Sequence, residues 1–155
     1  TNATAYTTSA LDGSLTAPDS GSAAIAAQSV IAGLHFNPNV VAMHPSDIVA
    51  NMWSQDSEGN WRLKPYMVNG TINGMRLISS SKIDAGNALI GDSSTYEEEH
   101  SDFIFRIGQY GTQFITNEYT AIGEVFSLLS IAQLNIPSWM YIDLDAVKAS
   151  LTVTP

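Results

Sequence analysis

The stretch Val40-Val41-Ala42-Met43-His44-Pro45-Ser46-Asp47 joins a strand to a helix within a few residues. Val40 to Met43 is a short apolar run bounded by turn residues, the pattern of a buried strand. His44 then offers a polar side chain just before Pro45. Proline is pre-organised for a first helical position, and Asp47 in the first turn suits the positive helix end. The helix is expected to run to about Ser54, with Ile48, Met52 and Trp53 mainly inward.

Upstream, residues 1–20 read as extended chain, with a short edge strand at Ala3 to Thr7. Asp19 or Ser20 supplies a helix-capping oxygen. Ser22 to Phe36 reads as a helix, with Ala24, Ile25, Gln28, Ile31 and Leu34 near helical spacing and the larger side chains on one stripe. Asn37-Pro38-Asn39 ends it by turn chemistry. Downstream, Asp56 to Asn60 is a polar turn and Trp61 to Pro65 a strand; residues 66–73 are a loop. Strands follow at Gly74 to Ser79, Ala88 to Gly91 and Asp102 to Ile107, with Ser93 to Ser101 a loop or exposed edge. Phe114 to Ala132 reads as a helix or one long strand, and its Thr, Tyr, Ile, Val and Phe favour strand. Pro137 breaks the chain before a strand at Met140 to Ile142, and Asp143 caps a short helix to Leu151. The expected class is α+β, a central mixed or antiparallel sheet flanked by helices, in one domain.

Charge is sparse, at 14% of residues, and the net charge is −9. The six basic residues, Arg62, Lys64, Arg76, Lys82, Arg106 and Lys148, are scattered, so no basic stripe for phosphate recognition exists. No specific nucleic-acid binding and no membrane association are expected, since no apolar run approaches a membrane span. The chain has no cysteine, which excludes disulfides, thiol catalysis and Cys-ligated metals. A surface this poor in charge suits a protein that buries much of itself against its own copies.

The order of these segments resembles the HK97-type major capsid proteins of tailed phages. That family carries an apolar strand, a polar residue with Pro-x-Asp, a short helix and a Gly-x-aromatic turn. The run Val40 to Asp47 and then Asp56-Ser57-Glu58-Gly59-Asn60-Trp61 is similar. Gly74-Met75-Arg76-Leu77-Ile78 resembles its next strand, and Ala85-Gly86-Asn87-Ala88-Leu89-Ile90-Gly91-Asp92 its Ala-Gly-x-x-x-x-Gly-Asp turn without a gap. Phe114-Ile115-Thr116-Asn117 resembles the segment before its long strand, and Pro137 with Met140-Tyr141-Ile142 the end. The chain departs from the family between Val125 and Leu134, which is mostly uncharged, and in residues 143–155, which extend past the usual end.

The resemblance implies an HK97-like capsid core over 1–150, with an axial domain at roughly 15–110, the strand part of a peripheral domain at both ends, and a tail at 151–155. The family's N-terminal arm, extended loop and spine helix would precede Thr1. It implies a structural, non-enzymatic virion protein without a cofactor. Copies would assemble in the bacterial cytoplasm into pentamers and hexamers of an icosahedral shell around DNA, with a scaffold or maturation protease as further partners. The alternatives are an encapsulin-like compartment shell and an unrelated acidic α+β enzyme or binding module.

Some family members join subunits by an isopeptide between Lys and Asn, assisted by Glu. By resemblance Asn117 and Glu124 occupy the Asn and Glu positions. Within one strand these residues would stand about 23 Å apart and on opposite faces. Only neighbouring subunits could then unite such groups, so the plainer reading is a polar residue in a strand. Glu97-Glu98-Glu99 in an extended segment point apart and read as a solvated acidic run rather than a cation site. His44 reads as a helix cap. His35 sits at a helix C-terminus, where its charge suits the dipole. Asp84 and Asp92 read as binders of backbone amides. Trp53, Trp61, Trp139, Tyr66 and Tyr141 fit either a core or an interface.

Overall fold

The computed structural model describes residues 3–55, 61–63, 67–68 and 70–153. Helix α1 spans Ser20–Gly33; Asp19 caps it by accepting from the Ser22 amide at 2.8 Å. Strand β1 (Val40–Met43) leads into α2 (Pro45–Met52), with β2 at Trp53–Gln55 and β3 at Trp61–Leu63. Next come β4 (Met67–Val68), β5 (Thr71–Ile72), β6 (Met75–Ser79) and β7 (Asn87–Gly91). Then follow β8 (Tyr96–His100), β9 (Ile104–Gly108), α3 (Gln113–Thr116), β10 (Thr120–Glu124) and β11 (Ser127–Ile131). Strand β12 (Trp139–Asp143) and helix α4 (Leu144–Leu151) close the order. The class is α+β with a mixed sheet.

The chain divides into two compact units, Thr1–Thr95 with Ala132–Pro155 and Tyr96–Ile131. The first holds a six-stranded sheet in the order β12-β7-β1-β6-β5-β4. β1 pairs parallel with β6 and antiparallel with β7. Thr4 adds a single parallel bridge to Met140 on β12, so the edge strand expected at Ala3 to Thr7 is reduced to one rung.

Helix α1 packs on β7, β12 and α4. Its buried face is Ala23, Ala24, Ala26, Ala27 and Ile31, whereas Leu34 is exposed. This corrects the stripe of larger side chains expected from the sequence. Alanines let the helix axis approach the sheet closely, and the bulk of the core comes from the other side: Val41, Met43, Ile72, Met75, Ile90, Met140 and Ile142. The helix ends earlier than expected, because His35 takes a left-handed conformation (φ 68°) just beyond it.

Two other expectations need correction. Residues 66–73 contain β4 and β5, which extend the sheet by a tight turn at Asn73-Gly74, both with positive φ. This is the backbone twist that two-residue hairpins prefer. Residues 114–132 form neither one helix nor one strand. They form α3, β10 and β11, because a helical turn that ends at left-handed Asn117 (φ 57°) reverses the chain. Of the two readings of Ser93 to Ser101, a loop or an exposed edge, the second holds: it contains the exposed strand β8. The polar turn expected at Asp56 to Asn60 lies outside the described residues.

Candidate functional site

Two acidic side chains stitch β1 to β7 at opposite ends. Asp47, in the first turn of α2, accepts from the Gly86 amide at 2.8 Å. Asp92, just past β7, accepts from the Asn37 amide at 2.9 Å and from the Ser94 amide and hydroxyl. Asn39 completes the second end by accepting from the Ser93 amide. Asp92 is buried. Burial works against its charge, but the Ser94 and Asn37 donors prevail and hold its carboxyl below the usual carboxylate range. The amide-binding role expected of Asp92 is therefore present. Among the described residues the Asp84 side chain makes no such bond, and Asp47 fills that role at the other turn.

His44 caps α2: its Nδ1 accepts from the Ser46 amide at 3.3 Å and lies 2.7 Å from the Ser46 hydroxyl. Trp139 lies directly across from Gly91 and covers it with its ring, while its Nε1 donates to Thr95 Oγ1 at 3.0 Å. Trp53 is exposed, and the side chains of Trp61 and Tyr66 lie outside the described residues. A further pair escaped the sequence reading: the Tyr6 hydroxyl donates to Asp12. Burial, together with Asp12, raises the tyrosine. Although burial opposes it, donors from Tyr6 and Ser9 hold the Asp12 carboxyl low. Neighbouring hydroxyls leave no periodic or motif signal, so nothing in the sequence marked this pair.

Tyr96–Ile131 is built differently. β8 pairs antiparallel with β11, and β9 with β10, forming two successive two-stranded ladders. Between them three residues, 101–103, oppose two, 125–126, which is a β-bulge. Ser101 secures it: its amide donates to the Phe126 carbonyl and its hydroxyl accepts from the Phe126 amide. At the far turn, Gln113 accepts from the Tyr110 amide and bonds the Thr120 hydroxyl. The result is one long ribbon.

Alternation along the returning chain puts Ala121, Gly123, Val125, Ser127, Leu129 and Ile131 on one face. Cross-strand partners add Ile107, Phe105, His100, Glu98 and Tyr96 to that face. Phe103 lies over Gly123 and stacks on Phe105, with ring centroids 6.3 Å apart. On this face Glu98 and His100 lie 3.4 Å from each other. The opposite face carries Glu97, Glu99, Glu124 and Arg106 among Leu128, Phe126 and Ile122. Of the twenty large hydrophobic residues exposed among the described residues, fourteen belong to this ribbon. Single exposed apolar residues are ordinary; a contiguous group marks an interaction surface.

Asn117 and Glu124 both belong to the ribbon, Asn117 at the cap of α3 and Glu124 at the end of β10. No hydrogen bond or ion pair joins them. Glu97, Glu98 and Glu99 alternate across β8, and no group of acidic or His residues suited to a metal occurs among the described residues. An open groove of about 380 Å³ runs beside Arg106, Tyr110, Thr120 and Ile122. No described helix is long and apolar enough to cross a membrane.

No protein-family model matches this sequence, and no curated protein matches it.

Proposed function

We propose that this chain is a structural shell subunit of the HK97 type, a major capsid protein of a tailed phage or prophage. Its copies assemble into pentamers and hexamers of an icosahedral shell around DNA. The observation that carries this reading is the uncovered apolar ribbon. Two-stranded ribbons are marginal in water unless a further layer covers them, so a chain that keeps one is built to be completed by other protein surface.

The motif residues behind the resemblance support the same reading. Asp47 and Asp92 tie β1 to β7 at both ends, which gives the Pro-x-Asp and Gly-Asp motifs a structural role. Repetition does the rest: many moderate contacts in a closed shell add up to a stable whole.

Expression of the complete reading frame, followed by negative-stain electron microscopy, tests the proposal. Closed shells or rings of five and six are the expected result. Only small soluble particles, under conditions that include any scaffold encoded nearby, would overturn it. Shells filled with a cargo enzyme rather than DNA would replace the phage reading with that of an encapsulin-like compartment.

A further inference from the structure

We infer that the apolar face of the ribbon that carries Leu129 is a self-association surface, on which a second copy of this chain seats its own identical face. The face comprises Phe103, Phe105, Ile107, Val125, Leu129 and Ile131, all exposed. This inference rests on the shell reading in one respect, that copies of the chain meet one another.

Charge selects the occupant. The chain as a whole is at −9, so most pairs of its surfaces repel. Within the ribbon, six carboxylates face a single cation, Arg106. The apolar face carries only one of the four carboxylates of β8 and β10, Glu98, which lies 3.4 Å from His100. Two copies meeting face to face bury mostly apolar surface and leave Glu97, Glu99 and Glu124 on the outer sides, in solvent.

Size agrees. The six side chains each leave roughly 100 Å² uncovered, judged from the area such residues bury. A symmetric pair would then cover on the order of 1,200 Å², the lower end of specific interfaces. Two ribbons of one length match end to end, and a twofold pair needs only this one patch.

Sedimentation equilibrium over a concentration series provides the test. The expected result is a monomer–dimer equilibrium that Phe105→Glu weakens by about tenfold or more, while Leu128→Glu, on the opposite face, leaves it unchanged. Both positions are exposed, so both variants should keep the wild-type circular dichroism. Because the chain has no cysteine, a single Val125→Cys variant, midway along the face, should form a disulfide-linked dimer on oxidation, and Phe126→Cys should not. A chain that stays monomeric at millimolar concentration, or equal weakening by both glutamates, overturns the inference. Negative-stain images of the same samples keep it apart from the shell reading. Dimers without rings from the complete reading frame would leave the inference standing and refute the shell. Rings that Phe105→Glu does not disturb would do the reverse.

Discussion

The sheet unit and the ribbon use similar residues for opposite ends. In the sheet unit, Ile90 on β7 is fully buried, flanked by β1 and β12. In the ribbon, Leu129 on β11 is 65% exposed, with one strand beside it. Both lie in regular strands within apolar stretches. What separates them is a covering layer: α1 packs on β7 and β12, and the ribbon's apolar face remains exposed. Strand pattern therefore reports that a face is apolar, not that this chain covers it.

The largest expected effect comes from breaking the covered side. Ile90→Ala removes a fully buried side chain that lies across from Val41 and Met140 on the flanking strands. It should destabilise the sheet unit by about 3–4 kcal/mol, read as a lower urea midpoint with unchanged slope. A loss under about 1 kcal/mol would mean that the core is looser than its burial implies.

Gly91→Ala ranks next. A Cβ there would lie 2.3 Å from Trp139 Cε3 and 2.4 Å from Cδ2. The backbone at Gly91 is not left-handed, so sterics alone decide the cost. The ring must move and strain its bond to Thr95, which predicts a loss of about 2–3 kcal/mol and a changed tryptophan emission. Replacing Trp139 with Leu in the same chain should recover part of it, and no recovery would refute the steric account.

Much of this contrast was legible in the residues. Val40 to Met43, the Pro45 start of α2 and the Asp143 cap of α4 follow from local chemistry, and the strands β6, β7, β9 and β12 fall close to their expected places. The alanine face of α1 was not legible, because hydrophobic periodicity weighs large side chains and close packing selects small ones. The reversal at Asn117 was missed for a different reason. Phe114, Ile115 and Tyr119 favour strand, but a left-handed cap and the Gln113 bridge to Thr120 fold the chain back. Of the candidate site, Asp92 and His44 were readable from their turn and cap positions. The apolar face of the ribbon was not, since burial depends on what lies opposite and the sequence carries no mark of that.

Acid should also act on the covered side. Asp92 and Asp12 both titrate below their usual value of 3.8 in the folded chain. A depressed carboxylate contributes its stability above the unfolded value and loses it as pH falls through the folded one. Wild-type stability should therefore hold above about pH 5 and decline on acidification below the ordinary Asp value. Asp92→Asn cannot accept at both ends, because its NH2 would face an N–H donor. It should cost roughly 1–3 kcal/mol at neutral pH and flatten the acid decline. An identical decline in wild type and variant would remove Asp92 from the account.

The smallest expected effect sharpens the comparison most. Leu129→Ala deletes as many side-chain atoms as Ile90→Ala but from a surface already in water. In dilute monomer it should change stability by less than about 0.5 kcal/mol. Amide hydrogen exchange supplies the second half of the prediction. Ribbon amides should exchange through local opening well below the global free energy, and β7 and β1 amides only near it. At high concentration, where copies pair through the ribbon, its amides should gain protection in wild type and not in Leu129→Ala. If Leu129→Ala costs as much as Ile90→Ala in the dilute monomer, this chain itself covers the ribbon, and the distinction between the two regions fails.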